Sequence, residues 1–563
     1  MANFLRKFDL TPARLIFLAL LLAFFSLFLI YPLGHVLIHA FFVDGQFTLE
    51  FFSFVITDAS QWEIVLNSIN LGLAVTVATT LISVPMAIAL VRYDFVGKGL
   101  LNGLLLVPMV LPPFVGAVGM RQMFARFGSV NLLLMNLGVI DQPIDWLGGG
   151  MMGVVVMEVL HLYPIMYLTV ASGLANVDPS MEEAARNVGS HGWSLFRRVT
   201  LPLMMPGYFA GATIVFIWAF TDLGTPLIFE YRRVMPVQIF DMLNDVHENP
   251  MGYTLVVFMI VMSAGFFYLS KFAMGGRSYE MMVHGHASAA VKKASLPRTL
   301  FIYLCLLTLT FLAVIPHLSV ILTSVSERWF MTILPESYTG LYYTQIFEHP
   351  LTVTSIRNSL FLSGLSTIID IGVGIAVAYL LVRTRMPGRN VLDTLTMLPL
   401  AVPGVILAFG YVAGFSGTFL DVRNNPVPLL IFGYAIRRLP YMVRSAYAGF
   451  QQTSVTLEEA ARNVGATPAA TLRRITLPLV FANLVAGGIL CFSFAMLEVS
   501  DSLILAVEER YYPITKAIYA LMARPDGSFM ASAMGVLGMV LLTVSLFLAG
   551  KFLGRRMGDL FRA

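Results

Sequence analysis

Charged side chains inside apolar stretches are the residues most able to do chemistry in this sequence. Asp222 lies in Phe220-Thr221-Asp222-Leu223-Gly224-Thr225-Pro226, and Glu498 and Asp501 lie in Leu497-Glu498-Val499-Ser500-Asp501. Arg437 and Arg438 precede Leu439-Pro440, and Glu158 and Asp370 are further acids in apolar surroundings. An ionised group in hydrocarbon is costly, so it defaults to a functional reading: an ion or solute pathway, or a paired charge. Gly224 and Pro226 predict a broken helix whose freed backbone lines a polar cavity. Asp222, Glu498 and Asp501 are therefore candidate pathway residues. A paired arginine neutralises a carboxylate, contacts an anionic solute or steadies a kinked helix. No Gly-x-x-x-x-Gly-Lys-Ser/Thr phosphate loop occurs, so ATP binding by this chain is not expected. Cys305 and Cys491 define neither a disulfide framework nor a metal site. The Met151-Met152 and Met204-Met205 pairs read as packing, and His284 with His286 is too sparse for a metal centre.

The elements that hold these groups are transmembrane helices. Of 563 residues, 58% are hydrophobic and 12% charged, with mean hydropathy +0.80. A soluble domain carries about a quarter charged residues. The 36 Lys+Arg against 32 Asp+Glu are too balanced to imply a nucleic-acid partner. Twelve apolar segments are each long enough to cross a bilayer. They lie near 14–38, 66–91, 99–120, 150–174, 206–229, 253–275, 299–324, 358–382, 391–413, 428–450, 482–505 and 529–550. The first, after Arg6 and Lys7, is too long for a signal peptide and reads as an uncleaved span. With the N-terminus inside, inside segments hold 23 Lys/Arg and outside loops 10. Both termini are therefore expected in the cytoplasm.

The chain also contains itself twice. Asn67-Ser68, Val91-Arg92, Pro108 and Pro112 recur as Asn358-Ser359, Val382-Arg383, Pro399 and Pro403. Pro164 recurs as Pro440, and Glu182 to Gly189 recurs residue for residue as Glu458 to Gly465. Extra residues in the first copy fall near 121–149. The expected halves are 1–285 and 286–563, six spans each and parallel, joined by a basic linker around Lys271–Arg298. Parallel repeats place a pathway between them.

Each half carries one long loop between its fourth and fifth spans, at 180–202 and 456–478. Glu183-Ala184-Ala185, Gly189 and Val199-Thr200-Leu201-Pro202 are matched by Glu459-Ala460-Ala461, Gly465 and Ile475-Thr476-Leu477-Pro478. Ser180-x-x-Glu183 and Thr456-x-x-Glu459 fit capping boxes, Gly189 and Gly465 suit left-handed C-terminal caps, and Thr467-Pro468 can open a second short helix. The loops are expected as compact helix–turn–helix projections.

These loops resemble the EAA loop of binding-protein-dependent ABC importer permeases. The family spacing is Glu-Ala-Ala, three residues, Gly, nine residues, Ile, one residue, Leu-Pro. The second loop matches throughout, and the first departs only by Val199. The resemblance covers nearly the whole chain as two fused permease halves. It implies an all-α polytopic membrane protein of about twelve helices with the type I ABC importer permease fold, in a bacterial cytoplasmic (inner) membrane. It assigns coupling to the ATPase to Glu183, Ala184, Ala185, Gly189, Leu201 and Pro202, and to Glu459, Ala460, Ala461, Gly465, Leu477 and Pro478. It implies a separate ABC ATPase in two copies, which carries ATP and Mg, and an extracytoplasmic solute-binding protein. The chain itself is then no enzyme and binds no cofactor. Asp-Leu-Gly-Thr-Pro in one half and Glu-Val-Ser-Asp in the other look most like ferric-iron permeases. Permeases for 2-aminoethylphosphonate, sugar phosphates and thiamine look similar. A secondary transporter working without an ATPase explains the duplication but not the twin loops.

Overall fold

The computed structural model describes residues 12–553 apart from 244, 247, 274–291, 385–386 and 525–526. Arg6, Lys7, His284 and His286, and most of the expected linker, lie outside the described residues. Apart from three short two-stranded pairs, the described chain is helical.

Among the described residues nine helices are long and apolar enough to cross a membrane, and two more spans are bent pairs. The remaining expected span, the tenth in chain order at 428–450, is the Val427–Gln452 helix, which carries Arg437, Arg438 and Arg444. The expected continuous spans at 99–120 and 391–413 are instead broken. Lys98–Met109 meets the helix beginning at Pro113 at 88°, and Arg389–Ala401 meets Gly404–Gly414 at 100°. The cause is local. A residue before proline is pushed out of the helical region. Leu111, before Pro112, has ψ 128°, and Val402, before Pro403, has ψ 117°. Carbonyls freed near the first break find side-chain partners. Tyr163 donates to the Leu105 carbonyl at 3.0 Å, and the His161 Nδ1 lies 3.0 Å from that of Pro108.

The helix Ala59–Arg92 starts where the Asp58 carboxylate accepts the Ser60 and Gln61 amides at 3.0 and 2.9 Å. Its 34 residues give roughly 50 Å of length. Pro350–Arg383 is its equally long counterpart, with Pro350 at the first turn. Both overrun the hydrocarbon core, so Arg92 and Arg383 emerge at the same end of their helices.

Two compact units emerge from the packing, and they cut across the sequence halves. One holds Glu50–Gln238 and Leu255–Gly340. The other holds Met1–Leu49, Ile239–Thr254 and Leu341–Ala563. The first span of each half is thus built into the other half's unit. In the first of these units, Leu296–Ser324 packs on Pro113–Phe124. The backbones approach so closely that a β-carbon on Gly119 would lie 1.9 Å from the Pro316 carbonyl oxygen. In the other, Tyr31–Phe41 packs on Gly404–Gly414. There Gly410 faces Pro32, and the Tyr411 hydroxyl donates to the Phe28 carbonyl at 2.7 Å. Around these contacts, Ala59–Arg92 packs with Met151–Ala175 and Leu201–Thr221, and Pro350–Arg383 with Val427–Gln452 and Leu477–Met496. The latter core includes Ala378, Met442, Phe450, Val480 and Cys491.

The extra residues of the first half form a loop tied by one side chain. Asn131 is fully buried. Its amide donates to the carbonyls of Ala125, Arg126 and Ile144, and its oxygen accepts from the Ile144 amide and the Trp146 indole.

Candidate coupling loops and buried charges

The two loops fold alike from the same local causes. The helices Pro179–Asn187 and Val455–Asn463 are nine residues each. Their N-caps are Asp178 and Ser454, which accept from the amides of Ser180 at 2.8 Å and Thr456 at 3.3 Å. The expected caps at Ser180 and Thr456 are therefore displaced by two residues. In the first loop Pro179, with φ set for a helix and no N–H to satisfy, fixes the earlier start. Glu183 and Glu459 then fall in the second turn, exposed, and close no capping box.

Both helices end in a Schellman motif. Ser190 N–H bonds to the Ala185 carbonyl and Gly189 N–H to that of Arg186, and Ala466 and Gly465 repeat the pattern on Ala461 and Arg462. Gly189 and Gly465 have φ +89°, a region that costs an L side chain about 1–2 kcal/mol. Short helices at Gly192–Leu195 and Pro468–Thr471 follow, the second capped by Thr467. Each runs through a π-helical turn, Phe196–Thr200 or Leu472–Thr476, into the next span. The extra residue lies just before Pro202 and Pro478, so the return to the membrane begins ahead of the proline rather than at it. Leu201 and Leu477 sit at the head of those spans, half-buried.

The acid that turns inward is the one preceding each Glu-Ala-Ala. Glu182 is 4% exposed and Glu458 2%. Glu182 pairs with the Arg92 guanidinium through both oxygens and accepts from the Thr200 hydroxyl at 2.6 Å. Glu458 accepts from Arg383 Nε at 2.9 Å and from Thr476 at 3.1 Å. Arg383 also donates to the Thr453 carbonyl at 2.8 Å. Arg186 and Arg462, one turn on, stand 3.6 and 3.9 Å from the same carboxylates. Burial pushes the Glu182 carboxyl up. Its bonds to Arg92 and Thr200 and the charges of Arg92 and Arg186 outweigh that and hold it below the ordinary glutamate value. Sequence reasoning passed over this arrangement, although Arg92/Arg383 and Glu182/Glu458 were already legible as repeated pairs. In the first half a cavity of about 200 Å³, lined by Arg92, Glu182, Glu183, Arg186 and Lys292, lies beside it. The end of the linker is nearby: Lys292–Lys293 pair in parallel with Tyr93–Asp94.

The buried charges divide by half. Leu477–Met496 stops before Leu497, and the short helix Ser500–Leu505 follows. Glu498 there is 4% exposed and pairs with both Arg437 and Arg438, while Asp501, fully buried, is 3.7 Å from Arg437. In the first half Leu201–Thr221 likewise stops, Asp222 is extended, and Gly224–Ile228 forms a short buried helix. The half-buried Asp222 accepts the Thr225 amide at 2.8 Å, and the Thr225 hydroxyl donates to Glu158 at 2.9 Å. His161 and Leu162 stand where the second half has the two arginines. Asp370 is buried in Pro350–Arg383. Among the described residues no group of three or more His, Cys, Asp or Glu is placed to hold a metal ion.

The family model described as "binding-protein-dependent transport system inner membrane component" matches residues 79–276 and again 370–559. The chain belongs to this family. It is an all-α, multi-pass inner-membrane permease subunit of an ABC importer, with the type I permease fold. Among similar proteins are the putative ferric transport system permease protein FbpB 1 of Haemophilus influenzae and the ferric transport system permease protein FbpB of Actinobacillus pleuropneumoniae. Each is 26% identical, over 88% and 94% of this chain and 78% and 76% of their own lengths. The molybdate/tungstate transport system permease protein WtpB of Pyrococcus furiosus is 30% identical over 38% of this permease and 83% of itself.

Proposed function

We propose that this permease passes ferric iron, delivered by an extracytoplasmic binding protein, into the cytoplasm by alternating access driven by a separate ABC ATPase. The observation that carries the cargo is coverage. Relatives named as ferric permeases align along both halves, whereas the molybdate/tungstate relative spans 38% of the chain. That relative favours a second reading, an oxyanion, with phosphonates, sugar phosphates and thiamine as the other solutes to test.

In this reading both termini and both loops are cytoplasmic, and each half, 1–285 and 286–563, offers one loop to one of two ATPase copies. The contact residues are Glu183, Ala184, Ala185 and Gly189 with Leu201 and Pro202, and Glu459, Ala460, Ala461 and Gly465 with Leu477 and Pro478. The exposure of Glu183 and Glu459, and of Met181, Trp193 and Leu457 beside them, supports a docking surface. Asp222, Glu498 and Asp501 are proposed as pathway groups, the last two as a set neutralised by Arg437 and Arg438.

Uptake of radiolabelled ferric iron tests this, in cells with and without the gene and with Glu183→Arg/Glu459→Arg. We expect both the deletion and the variant to fall below a tenth of wild-type uptake, with the variant still inserted in the membrane. Unchanged uptake in the deletion, with other iron routes removed, rejects iron as cargo. Wild-type uptake in the variant rejects the coupling assignment.

A further inference from the structure

Arg92 ends one long span and Arg383 its counterpart, and each reaches a glutamate 90 or 75 residues away on the loop helix of its own half. The same carboxylate accepts from a threonine at the head of the next span, 18 residues on in both halves. One carboxylate therefore joins the loop helix to two membrane helices. The arrangement is built twice from residues whose sequence offsets differ between the arginine and the glutamate, so it follows from neither loop's local folding alone. The loop's own backbone is a poor lever, since Gly189, Gly192 and Gly465 sit at positive φ and permit bending there. A buried, charge-assisted bond is short and directional, and it resists that bending.

We infer that Glu182 and Glu458 are positioning residues that lock each loop helix onto the ends of two spans, so that a displacement imposed on the helix by the ATPase is delivered to the membrane. This rests on the coupling reading of the loops proposed above. The division of labour is between neighbours. Glu183 and Glu459 face the partner, and Glu182 and Glu458 face the spans. The flanking Arg186 and Arg462 stand against the same carboxylates, so removal of the acid parts the loop helix from both spans in the first half, leaves Arg383 only its bond to the Thr453 carbonyl in the second, and leaves two cations together in each.

The test uses the tagged chain purified with its ATPase, in nanodiscs, with the exposed Cys305 replaced by Ser. Spin labels at Asn187→Cys and Asn463→Cys report the loop helices. Labels at Phe127→Cys and Phe419→Cys, exposed at the opposite ends of the spans, report the membrane part. Each pair's distance is measured without nucleotide and with MgATP trapped by vanadate. In the otherwise unsubstituted chain both distances shift. In Glu182→Gln/Glu458→Gln we expect the 187/463 shift to persist and the 127/419 shift to fall at least fivefold. In Arg92→Lys/Arg383→Lys, which keeps the charge but loses the forked geometry, we expect a two- to threefold fall at 127/419 alone. A normal 127/419 shift in the Gln variant overturns the proposal. So does joint loss of both shifts in both variants, which makes the clamp a support of the fold. Absence of any 187/463 shift in the unsubstituted chain is a separate failure, that of the coupling reading itself.

Discussion

Removing the charge of Glu498 is the sharpest test of the buried cluster in the second half. Glu498 is 4% exposed as a side chain, and Arg437 and Arg438 are 19% and 15% exposed. All three are nearly dry, so little solvent screening relieves a mismatch. In Glu498→Gln, Arg437 keeps Asp501 at 3.7 Å. Arg438 loses the acid it pairs with and is left with the more distant charges of Asp501 and Asp370 and a ring, its guanidinium carbon 5.8 Å from the centre of Phe494. Breaking one side of a buried pair costs about 3–5 kcal/mol, because the remaining charge stays buried. The amide oxygen of Gln still accepts one hydrogen bond, which places the expected loss at the lower end, about 3 kcal/mol, or on the order of a hundredfold in the folding equilibrium. The assay is reversible SDS-titrated unfolding of the purified permease. Arg438→Met/Glu498→Gln removes both charges and is expected to recover about 2 kcal/mol relative to the sum of the single changes. Additivity of the two changes to within about 0.5 kcal/mol refutes the claim that these charges are held by one another.

Two further outcomes follow from other parts of the chain. Asn131→Ala strips a buried hub of five hydrogen bonds and leaves carbonyls without donors, at about 1–3 kcal/mol; limited proteolysis is expected to cut within 125–146 at least tenfold faster, and unchanged cutting rules the hub out. The Glu182 carboxyl is held below its ordinary value, so its clamp is complete at neutral pH, still present at pH 5, and lost as pH falls through the depressed folded value. Amide exchange across 179–190, corrected for intrinsic rates, is expected to stay protected to pH 5 and to open below about pH 4, with no such pH step in Glu182→Gln.

Much of the architecture was readable from local composition. Apolar length gave the spans, because hydrocarbon leaves the backbone no partner but its own helix. The duplicated Glu-Glu-Ala-Ala-Arg-Asn-Val-Gly gave the twin loops, and Gly189 and Gly465 their ends. The breaks were less legible. Pro112 and Pro403 break their spans, yet Pro85, Pro164, Pro316 and Pro440 lie inside unbroken helices. Whether a membrane proline kinks or breaks a helix depends on which neighbours take up the freed carbonyls, and those come from distant sequence.

The sequence by itself thus determined that this is a duplicated, multi-pass permease with two matched loops, since hydropathy and motif spacing are properties of short stretches. Only the tertiary structure decided which half each first span packs on, because Gly119 and Gly410 permit backbone contact with Pro316 and Pro32 that nothing nearby in sequence specifies. It also decided which of two adjacent glutamates turns inward. Neighbours on a helix point about 100° apart, and the start set at Asp178 and Ser454, with Arg92 and Arg383 arriving from another span, selects Glu182 and Glu458 over Glu183 and Glu459.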